Sequence, residues 1–239
     1  MIQEFENYTK EDKTVWTTLF ERQLINLQDK ACDDYMNCLK DMESVLNGHE
    51  IPNFKAINNW FKTSTGWQIE VVPGLIPVED FFLLLSEKKF CSSTWLRSMK
   101  QLDYLEEPDM FHDTFGHIPL LANPIFSEFA LEFGRIGVAN MKDTIFLEKL
   151  QRLYWFTIEF GLINTPKGRR IYGAGLISSF GESISSLSTD VIVTIFDLEN
   201  ILNQTFRNDI PQNLYFEINS LTDLYNAIIK LKQNSLCGK

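Results

Sequence analysis

Cysteine is scarce in this chain of 239 residues: there are four, Cys32, Cys38, Cys91 and Cys237, and no two form a C-x-x-C pair. Thiols so few and so spaced exclude a disulfide-built scaffold and predict reduced side chains in a reducing compartment. Long apolar runs are missing too. Residues 81–85 are apolar throughout and 191–196 are apolar except for Thr194, but a bilayer span needs about 20 such residues. The opening Met1-Ile2-Gln3-Glu4-Phe5-Glu6 lacks the basic start and apolar stretch of a signal peptide, so a cytoplasmic protein is expected. No basic run exists either: 22 Lys+Arg face 32 Asp+Glu, a formal net charge of −10. Phosphate backbones and anionic lipid surfaces both demand clustered Lys and Arg, so nucleic acid and membrane are excluded as partners. Internal repeats, low-complexity tracts and linkers are absent, which predicts a single domain over residues 1–239.

What is present is an ordinary globular composition, 44% apolar and 23% charged, with aromatics at 13% and 19 Phe among them. Helical periodicity dominates the first half. Trp16, Leu19, Phe20, Leu24 and Leu27 share one stripe, and Tyr35, Met36, Leu39, Met42 and Leu46 share another. Asn53 is placed to cap a helix carrying Phe54, Ile57, Trp60 and Phe61. The alternation of Trp67, Ile69 and Val71 with Gln68 and Glu70 predicts a short strand, closed by the Pro73-Gly74 turn. Further helices are predicted over 78–88, 124–134 (Asn123 as cap, Pro124 at the first position), 142–161, 198–205 and 221–232, with a strand at 213–218. Tyr172-Gly173-Ala174-Gly175 reads as a turn or loop at a close approach. The expected class is mainly α (α+β), with a few short strands.

Only three histidines occur, and two lie five apart in His112-Asp113-Thr114-Phe115-Gly116-His117. On an unbroken α-helix, at about 100° per residue, such positions point roughly 140° apart and could not share a ligand. Gly116 and Pro119 suggest a resolution, with the helix ending after His112 and His117 curling back beside it. Spacing alone leaves metal binding and two unrelated histidines equally open. Residues 153–163, Leu-Tyr-Trp-Phe-Thr-Ile-Glu-Phe-Gly-Leu-Ile, hold one carboxylate, Glu159, in an otherwise apolar helix. A buried carboxylate must be protonated, paired or bound to a cation. With the two histidines it would complete a 2-His-1-carboxylate set, which leaves open positions on Fe(II). Three classes fit these residues: a non-haem iron oxygenase, a zinc hydrolase with Asp113 or Glu182 as general base, and a metal-stabilised binding domain.

Longer motifs narrow the choice. Glu107-Pro108-Asp109-Met110-Phe111-His112-Asp113-Thr114-Phe115-Gly116-His117-Ile118-Pro119-Leu120, then Tyr154 through Leu162, then Tyr172-Gly173-Ala174-Gly175-Leu176-Ile177-Ser178-Ser179 resemble, in order, the signatures of the pterin-dependent aromatic amino acid hydroxylases. The resemblance runs from about Trp16 through Val72–Pro77 to Ser220 and is strongest to the short bacterial members that act on phenylalanine. It implies a single basket-like helical catalytic domain around a non-haem iron site, with no regulatory domain and no oligomerisation helix, hence a monomer. The implied reaction converts L-phenylalanine to L-tyrosine with molecular oxygen and tetrahydropterin. The resemblance also admits a pterin-recycling dehydratase as a partner in the same cell. The same chemistry on tyrosine or tryptophan is the alternative substrate reading, with a zinc hydrolase behind it.

By motif position, the resemblance assigns His112, His117 and Glu159 to Fe(II). It assigns Arg97, with Asp109 beside it, to the substrate carboxylate, a group suited to a guanidinium's two-pronged grip. Trp155 would line the ring pocket, with Gly175 and Ser178 near the amino-acid end and Tyr104 at the mouth. Phe81 would stack on the pterin, Gly74, Leu75 and Ile76 would present backbone to its edge, and Tyr154 and Asp113 would lie close by. Glu182 would order water near the substrate. Leu105-Glu106 stands where animal members carry Thr-Pro, and Val78 where they carry a serine near the pterin. Trp155 is the residue expected for phenylalanine or tyrosine as substrate, against tryptophan.

Overall fold

The fold starts from a helix whose first turn is tied at both ends. In the computed structural model, which describes residues 1–103 and 105–237 and their side chains through 233, α1 (Lys10–Leu27) opens on a capping box. The Thr9 hydroxyl accepts from the Asp12 N–H while the Asp12 carboxylate accepts from the Thr9 N–H. Tyr104 and the side chain of Cys237 lie outside the described residues. The inward face of α1 is Val15, Trp16, Leu19, Phe20 and Leu27, with Gln23 held by the Ile177 carbonyl. Next come α2 (Asp33–Asp41) and α3 (Phe54–Phe61). As expected, Asn53 caps α3 by accepting from the Lys55 and Ala56 N–H groups.

A β-α-β unit follows: β1 (Gln68–Val71), α4 (Val78–Ser86) and β2 (Lys89–Ser92), with β2 parallel to β1 from Gln68↔Lys89 to Val71↔Ser92. β2 has too few residues to declare itself by alternation, and the sequence pattern does not predict it. The helix predicted to end at Gly134 instead runs five residues further, as α5 (Pro124–Ala139). Its glycines serve packing, not termination. A Cβ on Gly134 would lie 2.4 Å from the Ser86 amide nitrogen, and one on Gly137 would lie 2.2 Å from the Phe82 ring, so α4 rests almost directly on the α5 backbone.

The second half holds α6 (Thr144–Tyr154), β3 (Leu162–Thr165), β4 (Gly168–Ile171), α7 (Ala174–Ser178), α8 (Phe180–Ser185), β5 (Ile192–Ile195), α9 (Leu198–Asn203), β6 (Leu214–Ile218) and α10 (Leu221–Cys237). Its strands form one sheet in the order β4-β3-β6-β5, antiparallel only between β3 and β4. The stretch read as a turn at Tyr172–Gly175 becomes helical from Ala174 onward. The close approach expected there is present at Gly173, where a Cβ would stand 2.4 Å from the Glu159 carbonyl oxygen. One continuous apolar core runs under both sheets, and Trp16, Tyr35, Trp67, Phe111, Phe115 and Phe133 are among its fully buried rings. The mainly α class with short strands therefore holds. Among the described residues, no helix is long and apolar enough to cross a membrane.

α5 and α10 are clasped by Glu132, which accepts from Lys232 and Arg135 at 2.6 Å each. Burial alone would raise this carboxyl, but the two cations hold it below its ordinary value of 4.5. A depressed carboxyl pKa stabilises the fold above the unfolded-state value and loses that contribution as pH falls through the folded one. We expect Glu132→Gln to lower stability by about 1 kcal/mol at pH 7 in low salt. Urea midpoints of the two proteins should converge below pH 4. A constant gap down to pH 3 would assign the effect to packing.

Candidate metal centre

Both histidines and the glutamate sit on π-helical turns. Residues His112–His117 form one, and Trp155–Glu159, continuing α6, form the other. Here the predicted break after His112 is corrected: Gly116 lies inside a continuous turn and does not end it. A π turn bonds each N–H to the carbonyl five residues back, as Phe160 N–H does to Trp155 O at 2.9 Å. This wider ring brings residue i+5 over residue i, so a spacing of five becomes a shared face. Gly116 has its own reason, since a Cβ there would approach the Ala174 carbonyl oxygen of α7 to 2.9 Å.

The three ligand atoms converge. His117 Nε2 lies 3.2 Å from His112 Nε2 and 3.1 Å from Glu159 Oε1, and His112 Nε2 lies 3.8 Å from Glu159 Oε2. Among the described residues this is the one group of His, Cys, Asp or Glu close enough to hold a metal ion. Ser178 fixes the tautomer of His112. Its hydroxyl donates to the Ala174 carbonyl at 2.9 Å, so at His112 Nδ1, also 2.9 Å away, it must accept. The Nδ1–H is thereby committed, and the Nε2 lone pair is left facing the other ligands. Burial lowers the His112 imidazole to about 4, which keeps it neutral near pH 7. Burial would raise Glu159, but His117, His112 and the Tyr154 hydroxyl together bring it down to about 2. A neutral imidazole lone pair beside a carboxylate is a donor set that fits a divalent cation.

Behind these ligands stands a buried ion pair. Asp109 is fully buried and accepts from Arg97 Nε at 2.9 Å, from Arg97 Nη2 at 2.8 Å, and from the backbone N–H groups of Arg97 and His112. Despite burial, which acts to raise it, the guanidinium and these N–H donors hold the Asp109 carboxyl below its ordinary value. Asp109 thus occupies one edge of Arg97. Among the described residues, the other edge, Nη1 with the second Nη2 hydrogen, has only a 3.5 Å contact from Nη1 to the Leu102 carbonyl. Arg97 opens onto the cavity, whereas Asp109 does not line it.

That cavity, about 600 Å³, has the three ligands in its wall, and its size suits a small organic ligand. Gly74, Leu75, Ile76, Phe81, Asp113, Tyr154, Trp155, Gly175, Ser178 and Glu182 all line it. Phe81 meets Tyr154 edge-on, with centroids 5.2 Å apart. Burial pushes Asp113 up to about 7, and its Oδ2 accepts from the Ser93 N–H at 2.9 Å. Glu182 is likewise raised, chiefly by burial. Sequence reasoning did not anticipate Cys91 or Phe206 in this wall. Burial pushes the Cys91 thiol up to about 12, so it lines the cavity as a neutral group. Phe160 lies next to Glu159 in a motif already quoted, but Phe206 sits in an aperiodic stretch that carries no signal.

Comparison with known proteins agrees with this geometry. Residues 2–235 match the family described as biopterin-dependent aromatic amino acid hydroxylases. The chain is 45% identical over 226 residues to a phenylalanine-4-hydroxylase of Chromobacterium violaceum, covering 94% of this chain and 75% of that protein. It is 43% identical to a crystal structure of phenylalanine hydroxylase from the same organism with bound iron(III) and oxidised 7,8-dihydrobiopterin, at TM-score 0.92 over 100% of this chain and 86% of that one. An iron- and phenylalanine-bound structure of that enzyme superposes at TM-score 0.88 with 42% identity, over 95% of this chain and 82% of that one.

Proposed function

Because the chain belongs to the biopterin-dependent aromatic amino acid hydroxylases, we propose that it hydroxylates L-phenylalanine to L-tyrosine with molecular oxygen and a tetrahydropterin at Fe(II). The observation that carries this reading is the convergence of His112, His117 and Glu159 on the wall of a cavity into which Arg97 opens. Those three side chains would hold the iron. When bound, Fe(II) and the reduced pterin supply the activation of oxygen that no side chain can provide.

The remaining residues bind, orient and exclude water. Arg97, locked by Asp109, offers its free edge to the substrate carboxylate, and the fixed fork sets the depth to which the aromatic ring enters. Trp155 and Phe160 form the wall along that ring, while Gly175 and Ser178 bound the amino-acid end. Phe81 and Tyr154 give the pterin an aromatic surface, and Gly74, Leu75 and Ile76 present their backbone to its edge. Asp113 lies beside that surface, and Glu182 orders water at the substrate side. Ser178 also keeps the His112 lone pair aimed at the metal. The active unit is one catalytic domain over residues 1–239, acting as a cytoplasmic monomer and supplied with pterin by a recycling dehydratase.

The test is tyrosine formation from phenylalanine with purified protein, Fe(II), a synthetic tetrahydropterin and air. Product should require pterin and disappear when Zn(II) replaces Fe(II). A folded, iron-loaded protein that makes no tyrosine would reject the assignment, and parallel assays with tryptophan and tyrosine would locate the true substrate.

A further inference from the structure

Trp155 does not stand alone in the pocket wall. Two phenyl rings pack against its indole, each with its centroid 4.5 Å away: Phe160, tilted by 34°, and Phe206, nearly parallel at 14°. The indole edge is also held, because Trp155 Nε1 donates to Gln212 Oε1 at 3.2 Å. Gln212 is fixed in turn by its own amide donating to the Leu214 carbonyl and by the Tyr215 hydroxyl donating to its carbonyl at 2.8 Å. Both Phe206 and Gln212 come from residues 204–213, the aperiodic connection between α9 and β6.

Phe206 is half-buried and lines the cavity, as Trp155 does, so the pair forms part of its wall, while Phe206 also meets the buried Phe156 edge-on. A ring stacked at 4.5 Å covers the indole face it lies on. With its edge tied to Gln212, the indole cannot swing aside to widen the pocket. A residue fifty-one positions beyond Trp155 in the chain thus helps to hold the indole in the cavity wall.

We infer that Phe206 is a specificity-determining residue of the proposed amino-acid site, admitting a one-ring side chain and rejecting the two-ring side chain of tryptophan by covering one face of Trp155. This deepens the phenylalanine reading and rests on it. Truncating Phe206 removes a ring's volume from the wall, which is space a bicyclic substrate can use and a phenyl group does not need. Pocket contacts of this apolar kind discriminate by about 10–200-fold.

The test measures kcat/KM for L-phenylalanine and L-tryptophan on iron-loaded wild type, Phe206→Ala, Phe206→Leu and Phe206→Tyr, with calorimetric binding of both amino acids to each. For Phe206→Ala the tryptophan-to-phenylalanine ratio should rise at least tenfold, in kcat/KM and in affinity. Phe206→Tyr, which keeps the ring, should hold the wild-type ratio. Phe206→Leu covers the case in which the alanine variant fails to fold, and its ratio should rise in the same direction. If both substrates lose the same factor in every folded variant, Phe206 is mere packing and the inference is wrong. Wild type that binds both amino acids but forms no tyrosine would defeat the functional reading alone, since the affinity ratios still report on Phe206. Wild type that binds neither would defeat both.

Discussion

Iron-loaded protein carrying Glu159→Gln is expected to form tyrosine roughly a thousandfold more slowly than wild type, or not at all, while unfolding near the wild-type temperature. Glu159 is the one anion in the proposed ligand set, and its pKa of about 2 means that it stays charged throughout the usable pH range. Glutamine keeps the shape but removes the charge that balances the cation. A bound metal contributes several kcal/mol of transition-state stabilisation, and at about 1.4 kcal/mol per decade that amounts to some three decades in rate. His112→Ala and His117→Ala should behave alike. Ser178→Ala should be milder, weakening iron affinity by about 10–100-fold, because the hydroxyl only orients His112. Metal content, circular dichroism and turnover, measured on the same samples, separate these effects. Wild-type turnover by Glu159→Gln with a full iron complement would end the ligand assignment.

Asp109→Asn should be costly in a different way, by lowering stability and substrate affinity together. It leaves the Arg97 guanidinium, only 8% exposed, without its counter-charge, and breaking a buried pair from one side costs about 3–5 kcal/mol. In a chain of this size a loss of that order lowers the melting temperature by roughly 10 °C. The KM for phenylalanine should rise at least tenfold and that for pterin far less, because the fork that presents Arg97 to the cavity has lost its anchor. Arg97→Lys separates the two roles. It keeps a charge beside Asp109, so much of the stability should survive, but it cannot grip a carboxylate with two parallel N–H groups. Equal increases in both Michaelis constants for Arg97→Lys would remove it from the substrate site.

Periodicity was enough to place α1, and Asn caps to place the starts of α3 and α5, because an amphipathic stripe and an Asn cap are local features that any packing partner can satisfy. The residues of the proposed metal set were legible for a related reason: a lone Glu in an apolar run and two histidines in a chain of three stand out by chemistry alone. Their geometry was not. An HxxxxH spacing on an α-helix points the rings apart, and only the π turns, held in place where Gly116 and Gly173 let α7 and the Glu159 backbone close in, bring them together. The continuation of α5 past two glycines had the same origin, since it depends on α4 pressing against that helix face. Phe206 was invisible because its stretch has no period, and its place against Trp155 follows from the sheet that carries β6. The sequence by itself determined which side chains were available and where helices could begin, since charge, polarity and capping act within a few residues. Only the tertiary structure decided which of them meet, because the contacts that widen a helical turn or wall a pocket come from segments tens of residues away.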